Sequence, residues 1–145
     1  LRVAAGADGA ARADEVYRRK PSEGLSCEQQ TPLFYEGHLY GIMTRDGGPL
    51  RKEFVCYRPD GERVWSSGKT ERYGIGPFVA ADEKIFILDD EGVMTMIRAT
   101  AEGYARLGRA RVLPGPDSWA PPALVAGRML VRDSRRMVCL DLRAR

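Results

Sequence analysis

The chain has 145 residues, of which 43% are hydrophobic and 30% charged, and its formal net charge is +3. This is the size and balance of one ordinary domain that can bury a core. No apolar run reaches the ~18 residues of a membrane-spanning helix, and so weak and dispersed a positive charge does not make a nucleic-acid surface.

Residues 1–30 open with two short predicted strands, 1–3 and 15–18, joined by a Gly/Ala/Asp stretch. A polar connector, 20–30, follows. From residue 31 a pattern begins that recurs. Strands are expected at 33–35 and 38–43, joined at Glu36-Gly37. After the turn 45–49 come strands at 54–57 and 63–66, the last closing on Trp65. Asp-Gly and Gly-Pro pairs mark the turns, because glycine accepts positive φ and proline presets its own.

The plan repeats at 74–117, with strands expected at 78–80, 84–88, 93–98 and 104–112. It repeats again at 118–145, with strands at 123–125, 129–132 and 136–142. Pro32, Pro77 and Pro122 are 45 residues apart at each step, and the turn positions Gly37, Glu83 and Gly127 keep nearly the same spacing. Self-similarity at one period signals a repeat architecture. Strands and turns every ~8–12 residues signal an all-β fold. The runs "KIFIL" and "RMLV" are apolar on successive residues, as in strands covered on both faces. Sheets of four antiparallel strands stacked side by side provide that cover, and at roughly 40–50 residues each they are the blades of a β-propeller.

The organisation read from this is four parts. Residues 1–30 are outer strands of a preceding blade plus a connector, 31–73 and 74–117 are blades, and 118–145 is a closing blade that lacks its outer strand. About three blades are fewer than the ~4–8 of a closed propeller. The chain is therefore read as a piece of a seven- or eight-bladed parent, with open strand edges prone to self-association.

Three cysteines, Cys27, Cys56 and Cys139, form neither a CxxC pair nor a zinc spacing. Cys56 and Cys139 occupy matching places in the first and third repeats, and both are expected to be buried small hydrophobes. A single histidine, His38, excludes a multi-histidine metal site and is expected at a surface or rim. The carboxylate run Asp89 to Glu91 could offer oxygens to calcium but lacks EF-hand spacing, so a solvated hairpin turn is the preferred reading. Arg132, Arg135 and Arg136 form the densest basic cluster and are expected on an exposed turn. Trp65 is expected to pack between sheets. Trp119 lies in a loop that leads into an inner strand and is the one candidate binding residue, with a ring that could stack on a planar quinone or another ligand. No catalytic set is identified.

The segments "FVCYRPDGERVW", "MVCLDLR" and "SWAPPALVAGRMLVRD" resemble the repeat of the pyrroloquinoline-quinone-type (PQQ-like) β-propellers. In that pattern a Cys-x-Asp strand, a turn and a tryptophan close each unit. Asp141 stands in the aspartate place, Arg58 replaces the first aspartate, and Tyr104 stands near the tryptophan place of the second repeat. The chain is most similar to the C-terminal part of propellers of the outer-membrane-assembly-lipoprotein kind. In closed propellers of this type the outer strand of the last blade comes from the parent's N-terminus. The resemblance implies a non-catalytic scaffold whose loop faces bind a protein or small ligand, in a secreted, periplasmic or membrane-anchored parent. Its enzymatic alternative is the C-terminal part of a quinoprotein dehydrogenase using PQQ and calcium.

Overall fold

The computed structural model describes the backbone of residues 2–143. It contains thirteen strands in four antiparallel sheets and no α-helix among the described residues. A two-stranded hairpin, β1 (Arg2–Ala5) and β2 (Ala11–Asp14), comes first. Sheet 1 follows in simple meander order: β3 (Leu33–Tyr35), β4 (His38–Ile42), β5 (Phe54–Tyr57) and β6 (Arg63–Ser66). Sheet 2 repeats it with β7 (Phe78–Ala81), β8 (Lys84–Leu88), β9 (Val93–Arg98) and β10 (Arg106–Arg111). Sheet 3 has β11 (Ala123–Val125), β12 (Arg128–Arg132) and β13 (Met137–Asp141). This is the architecture of consecutive propeller blades, with the first strands β3 and β7 approaching each other across the sheets.

The recurring turn has one conformation. Glu36-Gly37, Asp82-Glu83 and Ala126-Gly127 all have positive φ at both residues, between 44° and 77°. These are the mirror-image turns whose twist suits a two-residue hairpin. Glu83 occupies a position that glycine fills in the other two repeats, which is why proline spacing exposes the period more clearly than glycine spacing.

Alternation along the second and third strands assigns every side chain to one neighbour. Tyr40, Ile42, Phe54 and Cys56 face sheet 2, where they meet Phe78, Ile85, Ile87 and Ile97. Phe86, Leu88 and Met94 face the other way and meet Met129 and Val131 of sheet 3. Ile85, Ile87 and Leu88 are fully buried, so "KIFIL" is covered on both faces as expected. Burying such a side chain contributes about 1.5–3 kcal/mol.

Sheet 1 is covered on its first face by the chain that precedes it. Residues 15–18 form no strand; the expectation there is wrong. Instead the segment from 15 to 30 is a strap. Leu25 packs against Met43, Val55 and Tyr57, Ser26 accepts the Thr44 N–H at 3.0 Å, and Glu28 pairs with Arg45 at 2.6 Å. Gln30 both donates to the Phe78 carbonyl (2.7 Å) and accepts the Phe78 N–H (3.0 Å). Polar residues make up the strap because the backbone edges it crosses need hydrogen-bond partners.

Trp65 is buried between sheets 1 and 2. Its ring lies 5.9 Å from Tyr40 and 6.1 Å from Tyr104, and Nε1 donates to the Thr100 carbonyl at 3.0 Å. The register shows what stands in the equivalent place of sheet 2. Trp65 opposes Cys56, with a bulge at Val64. Gly108 opposes Met96, with a bulge at Leu107. The tryptophan place of the second repeat is therefore Gly108. Tyr104, expected near that place, is instead the partner that Trp65 packs against.

Cys56 is fully buried and Cys139 is exposed, which corrects the expectation for the latter. The two occupy the same register, opposite Tyr40 and Leu130 respectively. Cys56 has sheet 2 over it. Cys139 lies on the face of sheet 3 turned away from sheet 2, and no described residue covers it. Burial also pushes the thiols of Cys27 and Cys56 up to about 11, away from the reactive thiolate. In the folded 145-residue chain an alkylating reagent at pH 8 should label Cys139 first, with Cys56 reacting only after denaturation. Intact-mass analysis of labelled samples checks this; equal labelling rates at the two positions would contradict the stacking order. A second expectation concerns Gly108. Its φ is ordinary, and an added Cβ would come no nearer than 3.9 Å to Met96. Gly108→Ala should stabilise the chain by about 0.5–1 kcal/mol, read from the urea midpoint.

Candidate functional site

At one end of the sheets lie the connectors between blades and the turns between second and third strands. The turn 89–92 is built by Asp89, whose Oδ1 accepts the N–H groups of Glu91 (3.0 Å) and Val93 (2.9 Å). Asp89 is buried rather than solvated as the sequence suggests, and its Oδ2 faces Arg109 at 3.5 Å. The connector that leaves β10 is fastened to this turn. Val112 and Leu113 both donate to the Gly92 carbonyl, at 2.9 and 3.1 Å, and Arg111 Nη1 donates to the Glu91 carbonyl at 2.6 Å. Gly115 has φ +62, and a Cβ there would fall 2.4 Å from the Glu91 carbonyl oxygen, so only glycine lets the connector pass this close.

Past that crossing the connector carries Trp119. Trp119 is 45% exposed, and Ser118 beside it is fully buried. Asp90 fixes it: Oδ1 accepts Trp119 Nε1 at 3.2 Å and the Ile75 N–H at 2.9 Å. Three connecting segments, those of residues 74–75, 90–91 and 115–119, are thus joined through one carboxylate. An exposed indole held in place has lost its rotational freedom in advance, which is the condition for a strong contact residue.

The other sequence candidates do not converge here. His38 is half-buried at the opposite end of its sheet, with Nδ1 3.0 Å from the Glu36 carbonyl. Arg135 and Arg136 lie on the exposed turn between β12 and β13, where their N–H groups donate to Asp133 Oδ1, both at 2.7 Å. Those bonds hold the Asp133 carboxyl below its ordinary value. Arg132 is exposed beside them.

The oxygens of Asp89 and Asp90 are aimed at N–H donors rather than at a common point. Among the described residues, no three His, Cys, Asp or Glu side chains are placed to hold a metal ion.

Sequence reasoning named Asp90 only within the carboxylate run and missed its pairing with Trp119, 29 positions away; nothing local in the sequence marks that pairing. Asp90→Ala removes an acceptor from two donors and should cost about 1–2 kcal/mol. In a Trp65→Phe background it should also loosen Trp119, seen as faster fluorescence anisotropy decay. An unchanged decay would show that Asp90 does not hold the ring.

No family model matches the chain, and no curated protein matches it. Among solved structures it is similar to BamB from Moraxella catarrhalis, at a TM-score of 0.53 and 14% identity over 77% of this chain. The match covers 43% of the BamB chain, so this chain spans under half of that protein's length. No helix of the described residues is long and apolar enough to cross a membrane. Together with the three stacked meander sheets, the match shows a partial β-propeller fold.

Proposed function

We propose that the chain is a non-catalytic scaffold segment of a β-propeller that binds a protein partner through the loop face around Trp119. The observation that carries this reading is the fixed, half-exposed indole on connectors tied by Asp90. Tryptophan is the residue type most enriched where a few contacts dominate a protein interface. The PQQ-like resemblance of the repeats and the fold likeness to BamB support a setting outside the cytoplasm, in a secreted, periplasmic or membrane-anchored parent, where such propellers join protein assemblies. The enzymatic alternative, a PQQ-dependent dehydrogenase, draws no support from the carboxylates beside Trp119.

A photo-crosslinking aromatic residue placed at position 119 of the natural full-length protein, in its source cells, tests the reading. It should yield one discrete adduct, and the same residue at Glu36, on the opposite rim, should not. In binding measurements with the partner so identified, Trp119→Ala should weaken affinity by about 30-fold or more, the ~2 kcal/mol of an interface hot spot. Equal adducts from both rims, or an unaltered affinity, would overturn it.

A further inference from the structure

Three of the chain's five methionines meet in one seam. Met94 and Met96 stand two apart on β9, so their side chains leave the same face of sheet 2. Met129 of β12 comes from sheet 3 opposite them. All three line one cleft of about 330 Å³ between the two sheets. Met94 and Met129 are buried. The other two methionines lie elsewhere, Met43 packed against Leu25 and Met137 exposed.

The spacing lets the three sulfurs converge. Residues two apart on a strand are about 6.6 Å apart, and facing sheets are about 10 Å apart. A methionine side chain, with three rotatable bonds and a polarisable thioether, adapts to such gaps. Gly108 leaves room for that movement: an added Cβ there would find only the Met96 methyl within 4 Å, at 3.9 Å. Phe86 and Leu140 supply apolar wall between the sulfurs. Asp141, the one carboxylate along the cleft, is taken by Arg143 at 2.6 Å. Among the described residues no histidine or cysteine lines it.

We propose that Met94, Met96 and Met129 form a three-thioether site for one soft monovalent metal ion, Cu(I). Such a donor set selects by softness. Neutral thioether sulfur favours Cu(I), whereas hard cations such as Mg²⁺ and Ca²⁺ require oxygen ligands. A single positive charge also costs less to bring into an apolar seam than a double one. A thioether has no proton to release, so uptake is independent of pH, unlike uptake by thiolate or imidazole ligands. The site does not use Trp119, so this reading and that of the loop face can fail separately.

The test is an NMR titration of the natural full-length protein carrying ¹³C-methyl methionine, with accessible thiols alkylated first. Ag⁺, a redox-inert stand-in for Cu(I), is added in chloride-free buffer. The methyls of Met94, Met96 and Met129 should shift together and saturate at one ion per site, while Met137 stays in place. The midpoint should be the same at about pH 6 and about pH 8. Zn²⁺ at the same concentration should leave the seam methyls unmoved. Met94→Leu, Met96→Leu and Met129→Leu keep the apolar volume, and each should weaken binding at least about tenfold. Anaerobic competition with a Cu(I) chelator should show the same loss in the same variants. Separate midpoints for the three methyls, a midpoint that moves with pH, or a Zn²⁺ response equal to that of Ag⁺ would overturn the proposal. So would half-saturation above about 1 mM. The unaltered protein decides all four, so a variant that fails to fold leaves the test intact.

Discussion

The arrangement of the whole molecule depends on a period of two. In β4, β5, β8 and β9, neighbouring side chains serve different interfaces: Ile85 and Ile87 belong to one seam, Phe86 and Leu88 to the next. A slip of one residue would exchange the two sets and place side chains sized for one gap into the other. The two-residue turns at Glu36-Gly37, Asp82-Glu83 and Ala126-Gly127 prevent that slip, because their geometry fixes the register of the strands they join. Turn and seam therefore specify the same alignment, and agreement between local and global preference is what gives a sequence one structure.

Within that frame the seams differ in how they are finished. The first is sealed by aromatic contacts: Phe54 lies edge-on to Phe78 at 5.3 Å, and Trp65 fills the outer part. A tyrosine pair, Tyr73 and Tyr104, sits at its rim with Glu71 and Arg106. Burial raises both phenols above their ordinary values, which keeps them neutral hydrogen-bonding groups. The second seam is lined by methionines, flexible side chains that adapt to irregular space. One seam is thus packed with aromatic rings, and the other lined by adaptable side chains.

From residue 33 onward the strands, their order and the recurring turns were legible in the sequence because they rest on local signals, namely proline, Asp-Gly and apolar runs; the N-terminal hairpin, whose second strand is Ala11–Asp14 rather than 15–18, was not. Three features were not, each for a physical reason. The residue matching Trp65 could not be counted along the chain, because a bulge at Val64 and another at Leu107 shift the register out of simple spacing. The exposure of Cys139 depends on what stacks over sheet 3, which its own neighbours in sequence do not encode. Residues 15–30 carry too few apolar positions to show that they cover a sheet, and they do so mainly through hydrogen bonds and Leu25. Trp119 was legible as a loop aromatic, but its fixation by Asp90 arises only when two connectors meet.

The strap also sets how the molecule bears a load. Gln30 grips both main-chain groups of Phe78, so the chain ahead of sheet 1 is tied directly to the first strand of sheet 2. Tension applied at the N-terminal side is shared with sheet 2 through that amide, in parallel with the four strands of sheet 1. The tied span encloses an entire blade, and pulling on it draws the two sheets against each other across the aromatic seam. A propeller piece with this fastening resists being peeled one blade at a time.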